Sequence, residues 1–362
     1  MKTRRSLVST LLGLSLSAFS TAQLQAYDPL PGPSPYGPDD EAGATNTQTP
    51  LKAKEMALEV LLGEGKVYRL GHTYENNMPS FPGSDGWSVT VPDTLALVFG
   101  NQVGTGELFH GNIGQQGTQL DSLSHFSYLP HGTTDLDDAV FYNQFTGADV
   151  FDFPNGVQHL GVDTLKPMVT RGILLDVQRY ANGGDRLVAG QEITMAMIDA
   201  TLQAQGLSRS DIKEGDAVLI MTGHEELWEL GTFGYYIDPN LGSLAQPGIG
   251  LPVAQWLGSK RVTTVGSDNW GIEVAPNPNA PFELGIGFPV HHELLIKNGI
   301  PMQESMHLGE LAHDVAEHFD HLRDLGFPKA LAGKTAYIFG YIALPVPMKG
   351  ATGSPGHPIA IR

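Results

Sequence analysis

The chain has 362 residues, a formal charge of −18 at pH 7 and no cysteine. The acidity argues against nucleic acid or an anionic membrane as partner. The lack of thiols excludes thiolate catalysis, zinc–thiolate sites, iron–sulfur clusters and disulfide staples, so stability must come from a buried core that this length supplies in one large or two moderate domains.

The basic start at Lys2, Arg4 and Arg5, followed by the apolar stretch 7–19, has the form of a secretory signal peptide. Small residues place cleavage after Ala22 or Ala26, so residues 1–26 are expected to be removed and the mature protein to be periplasmic or secreted. No later stretch approaches the roughly twenty apolar residues of a bilayer span. Residues 27–50 are rich in Pro, Gly, Asp, Asn and Thr and predict a flexible arm or a surface wrap. The remainder, 51–362, is read as the folded domain.

Met56, Ala57, Val60 and Leu61 recur at helical spacing and predict a helix over 51–62, stopped by Gly63. Strands are predicted at 67–70 and 88–91, joined through the loop 78–83. The middle alternates a buried strand at 172–177, a helix at 194–205, and strands at 217–222 and 262–266. A helix around 289–298, a second over 308–325 and a strand at 335–344 complete the pattern. Mixed strands and helices of this kind predict an α/β domain with a central mixed sheet. The glycines at 83, 104, 106 and 111 lack the lysine and the strand-turn-helix context of a phosphate loop, and no Gly-x-Ser-x-Gly elbow is present.

The densest chemistry lies between Gln115 and Phe126, where Gln115, Gln119, Asp121 and His125 stand at even spacings. In an extended segment such residues share a face, which would line up two amide oxygens, a carboxylate and an imidazole toward a cation or a substrate. Asp121 four residues before His125 suits a metal with a neighbouring general base, or equally a buried ion pair. A second group is His291 and His292, with Glu304 downstream; adjacent helical residues point about 100 degrees apart, so only one of the two histidines should face a given site. His307, His313, His318 and His321 read mainly as a solvated helical face opposite an apolar side formed by Leu308, Leu311, Val315, Leu322 and Leu325, with surface metal capture as the alternative. His224-Glu225-Glu226 lacks the second histidine of a metalloprotease helix. Trp87, Trp228, Phe233, Tyr235, Tyr236 and Trp270 are candidates for an aromatic pocket.

The run from Gln115 to Phe126 resembles the signature His-x-Gly-Thr-His-x-Asp-x-Pro-x-His-Phe of the metal-dependent cyclase or kynurenine-formamidase-like hydrolases, which include isatin hydrolase. Further likenesses are Asn77-Met78-Pro79 with Phe81-Pro82-Gly83, the stretch from Thr170 to Asp176, Ser267-Asp268-Asn269-Trp270 with Ile272-Glu273, and the stretch from Lys349 to Pro355. They span the chain from about Leu70 to the C-terminus. The resemblance implies a swivelling β/β/α fold, a divalent metal cofactor (manganese or zinc), a small-molecule substrate and a homo-oligomer, either dimer or tetramer. It also implies that Asp121, His291 and Glu304 are metal ligands, with Gln115 and Gln119 at the positions of two signature histidines, and that His125 with Asp121 carries the catalytic step. The two glutamines depart from the pattern. A neutral amide oxygen is a harder donor than imidazole, so zinc affinity should fall and oxygen-preferring ions gain. The expected activity is hydrolysis of a small amide, formamide or lactone, the alternatives being a non-catalytic binding protein on the same fold and a metal-free hydrolase.

Overall fold

The computed structural model describes residues 27–362, and the signal peptide expected over 1–26 lies outside the described residues. Among the described residues, nine strands make one mixed sheet: β1 (Val67–Arg69), β2 (Gln119–Asp121), β3 (Met168–Asp176), β4 (Ala217–Met221), β5 (Thr264–Ser267), β6 (Met302–Glu304), β7 (Ile338–Ala343), β8 (Gly353–Pro355) and β9 (Ile359–Ile361). Their order in space is β1-β9-β7-β3-β4-β5-β6-β2-β8. Strands β3 to β6 pair in parallel, and antiparallel pairings continue the sheet at both ends. A parallel strand covered on both faces needs an unbroken apolar run, and β4, Ala-Val-Leu-Ile-Met, is buried at every position. The architecture is therefore α/β around a central mixed sheet, as the alternation of elements predicts.

Helices α1 (Pro50–Leu62) and α2 (Met195–Ala204) pack against β3. Thr49 caps α1 by accepting from the Lys52 amide, and Pro50 occupies the first turn, where its missing N–H costs nothing. The close seat of α1 on β7 depends on Gly340, where a Cβ would stand 2.5 Å from Val60 Cγ2 and 2.9 Å from Met56 Sδ. Among the described residues, no helix is long and apolar enough to cross a membrane.

Three local predictions change. The strand expected at 335–344 begins only at Ile338, because Ala332, Ala336 and Tyr337 bury one side of a preceding helix, Lys329–Tyr337. The helix expected around 289–298 is a single turn, α3 (Pro289–His291), that runs on as a π-helix over His292–Lys297; such widened turns often accompany functional sites. Leu325 lies past the end of the helix Gly309–Asp324 and is exposed, whereas Ala312, Ala316 and Phe319 complete the buried side.

Residues 27–50 form a wrap. They stay in place without apolar periodicity because polar groups of the body hold their backbone. The Asn143 side chain donates to the carbonyls of Gly37, Pro38 and Asp40 at 3.0, 3.0 and 3.1 Å and accepts from the Ser34 amide at 2.7 Å. The wrap reaches the π-helix, where His292 Nε2 meets the Pro29 carbonyl at 2.7 Å and the Tyr27 hydroxyl donates to Glu293 at 3.0 Å.

Candidate active site

The site begins with the register of two short strands. β2 lies antiparallel to β6 with Gln119 opposite Glu304 and Asp121 opposite Met302. Directly opposed residues share a face, as do residues two apart on one strand, so Gln119, Asp121 and Glu304 converge. Gln119 Nε2 donates to Glu304 Oε2 at 2.9 Å, to Gln115 Oε1 at 3.1 Å and to Asp121 Oδ1 at 3.3 Å.

The expected single extended row from 115 to 125 is confined to Gln119–Asp121, where ladder partners exist. On one side the chain turns at Gly117, whose φ is +67° and whose Cβ position lies 3.0 Å from the Tyr74 ring. A glycine meets both demands at once. On the other side the His125 amide closes a turn onto the Ser122 carbonyl at 3.1 Å. Gln115 and His125 thus reach the same cavity from turns rather than from a common strand face.

His291 enters from α3. Glu273 holds it twice: its carboxylate accepts from the His291 backbone amide at 3.1 Å and faces ring Nδ1 at 2.6 Å. That leaves His291 Nε2 aimed at Glu304, 3.3 Å from Oε1. His292 points away, to the wrap, so His291 is the histidine that lines the cavity. Burial disfavours charge on His291, but Glu273 and Glu304 outweigh it and push its pKa up to about 10. Burial and the nearby Asp121 charge push the Glu304 carboxyl up, against the pull of His291. Glu273 escaped the sequence reading as a site residue; its nearest signal was the run Ile272-Glu273 beside Trp270.

His125 Nε2 stands 3.9 Å from Asp121 Oδ2, with its side chain one quarter exposed to the cavity. Burial lowers its pKa, Asp121 works against that shift and His291 adds to it, so the ring is neutral near pH 7 and able to accept a proton. The cavity measures about 300 Å³ and is walled by Phe81, Phe126, Tyr236, Trp270 and Phe288, with Gln115, Gln119, His125, His291 and Glu304 at its polar end. Of the six aromatic candidates, Tyr236 and Trp270 line it. Trp87 packs on Tyr74 and Phe109, Trp228 stacks on His72, Tyr235 is fully buried and Phe233 is exposed.

Among the described residues, Asp121 Oδ2 is buried without a hydrogen-bond partner, and Glu304 Oε1 meets only the His291 ring nitrogen, in an ion pair at 3.3 Å. Asp121, His125 and His291 each offer a ligand atom, all lying within 4.8 Å of one another. One carboxylate and two imidazoles at that spacing, with Glu304 beside His291, form a donor set that a divalent transition ion fits. Gln119 has both options: here its amide nitrogen faces the carboxylates, which need donors, while half a turn of the amide would offer its oxygen instead.

A family described as "Putative cyclase" matches residues 68–274, more than half of the chain. The chain belongs to the cyclase family. The matched stretch holds Asp121, His125 and Glu273, while His291 and Glu304 follow it. The crystal structure of a novel cyclase is 28% identical, covering 90% of this chain and 96% of that one with a TM-score of 0.71. Isatin hydrolase A from Ralstonia solanacearum is similar in fold at 16% identity, 87% and 97% coverage and a TM-score of 0.55. The same holds for isatin hydrolase A from Labrenzia aggregata bound to benzyl benzoate, at 16% identity, 82% and 93% coverage and 0.52. Comparison with curated proteins found no match. The cyclase-family fold accounts for the curled mixed sheet that brings β2 and β6 together.

Proposed function

We propose that this cyclase-family protein is an exported, metal-dependent hydrolase of a small amide, formamide or lactone. One observation carries the reading: the buried Asp121 carboxylate, with one oxygen lacking a hydrogen-bond partner among the described residues, lies within 4.8 Å of His125 and His291, and those imidazoles with Glu304 form the polar end of an aromatic-walled cavity. Unpaired buried carboxylates are costly, and an ion would relieve that cost. Asp121, His291, Glu304 and the Gln119 oxygen would hold it. A divalent ion supplies Lewis-acid polarisation of a carbonyl and lowers the pKa of water. Glu273 fixes which nitrogen of His291 faces the cavity. His125 accepts the proton from attacking water and returns it to the leaving nitrogen or oxygen. The apolar walls suit a planar or cyclic substrate, consistent with the isatin hydrolases that share the fold. Export rests on the basic and apolar start of the chain.

A metal-free hydrolysis by Asp121 and His125 is the second reading, favoured by one contact: the Gln119 amide nitrogen already sits among Gln115, Asp121 and Glu304, where a cation would. Metal analysis of the purified protein, with assays on aryl formamides, lactones and isatin before and after chelation, separates the two. Turnover lost on chelation and restored by manganese or zinc is the expected result. Turnover that survives chelation supports the metal-free route, and binding with no turnover under any condition overturns the hydrolase reading.

Glu273→Gln should lower metal affinity and kcat/KM by about 10- to 100-fold, the usual effect of loosening a ligand's outer support. The glutamine oxygen still accepts one donor, so the α3 turn should persist. Metal titration alongside kinetics checks this, and an unchanged affinity would show that His291 needs no such support.

A further inference from the structure

A second cluster lies outside the aromatic cavity, and none of its members lines that cavity. His72 follows β1 and is anchored by its backbone amide, which donates to Thr118 Oγ1 at 2.9 Å. Its ring stacks flat on Trp228, with centroids 3.9 Å apart and planes at 3°. His307 follows β6, and Glu225 belongs to the short helix His224–Leu230. His72, Glu225 and His307 each offer a ligand atom within 4.8 Å of the others, and all three are partly exposed.

Two details separate this cluster from an ordinary surface ion pair. Among the described residues, His72 Nε2 is buried without a hydrogen-bond partner, and the buried His307 Nδ1 has only its ion-pair contact with Glu225, although each imidazole nitrogen has a lone pair or a proton to satisfy. Glu225 is already fixed, since its two oxygens accept from the Leu308 and Gly309 amides at 2.6 and 2.7 Å. It therefore stands as a rigid anchor beside His307, with 3.4 Å between His307 Nδ1 and Glu225 Oε2. Ligands about 2.0–2.2 Å from a tetrahedral zinc ion lie roughly 3.3–3.6 Å from each other, so this pair is already spaced as two ligands of one ion. A pairing of His307 with Glu225 alone leaves the buried His72 nitrogen unexplained.

We propose that His72, Glu225 and His307 form a second divalent-metal site, for a borderline ion of the zinc class, with solvent completing the coordination. Two imidazoles and one carboxylate are the donor types such ions favour over magnesium or calcium. The site is independent of the hydrolase reading, because it shares no residue with the cavity.

The test strips the full chain with chelator and measures zinc bound per chain by equilibrium dialysis. His307→Ala removes a ligand whose side chain is 42% exposed, so the fold should survive; His72→Gln is the second variant. The expected result is one zinc fewer per chain than wild type in both variants, or affinity at that site weaker by at least about 100-fold, since losing a ligand should cost no less than losing its outer support. Copper or nickel should also quench the Trp228 emission in wild type, an effect absent in Trp228→Phe and in His307→Ala. Wild-type stoichiometry and affinity in both histidine variants would overturn the proposal. An ion in the aromatic cavity would instead be lost in Asp121→Asn and kept in His307→Ala, so the two sites succeed or fail separately.

Discussion

Asp121→Asn is expected to abolish hydrolysis while leaving the protein as stable as wild type or more so. Asp121 is completely buried, one oxygen accepts from Gln119 at 3.3 Å, and the other has no donor among the described residues. Asparagine has the same shape and keeps an acceptor for Gln119, so β2 should retain its pairing with β6 and β8. What disappears is the charge. Without it the donor set loses its best-placed anion for a cation, and kcat/KM should fall by about 1,000-fold or more, comparable to removing a principal transition-state stabiliser. At the same time the cost of burying a carboxylate beside Glu304 is lifted, which favours the folded state. Kinetics, metal content and a thermal melt on one preparation measure all three. A variant that turns over substrate at the wild-type rate would remove Asp121 from the site.

His125→Ala should lower kcat by about 100- to 10,000-fold, the range for losing a positioned acid or base, with bound metal retained. The ring faces the cavity, its pKa is held down by burial, and the nearest carboxylate oxygen, on Asp121, lies 3.9 Å away. That separation orients the imidazole without committing it to a tight ion pair, which leaves it free to move a proton. The same geometry places His125 within reach of a cation held by Asp121 and His291. Metal analysis decides between these roles: loss of kcat alone assigns proton transfer, whereas a parallel loss of metal makes His125 a ligand.

Much of the site was legible as a set of residue types. The densest run, 115–126, and the later pair at His291 and Glu304 meet at one cavity, although they are separated by more than 160 positions in the chain. The even spacing of Gln115, Gln119, Asp121 and His125 suggested a common strand face, and that inference was too simple. Only three residues of the run find strand partners, and turns at Gly117 and at 122–125 bring the outer two round. Helical spacing left His291 and His292 open and only the family resemblance favoured His291, because which ring faces the cavity depends on what packs on each side of the helix: Glu273 on one, Pro29 on the other. Residues 27–50 illustrate the same limit. A segment poor in apolar side chains can still be held if Asn143 and Tyr142 elsewhere supply its hydrogen bonds.

By itself the amino-acid order determined the class of fold and the chemical inventory. Continuous apolar runs such as Ala217–Met221, set between turn residues, mark buried strands, and a chain without thiols must build its chemistry from carboxylates, imidazoles and amides. Tertiary structure alone decided which of those groups face one another. The register that sets Gln119 against Glu304, the carboxylate that aims His291, and the stacking that carries His72 beside His307 are contacts between distant segments. Such contacts arise when the whole sheet closes, and local spacing carries no record of them.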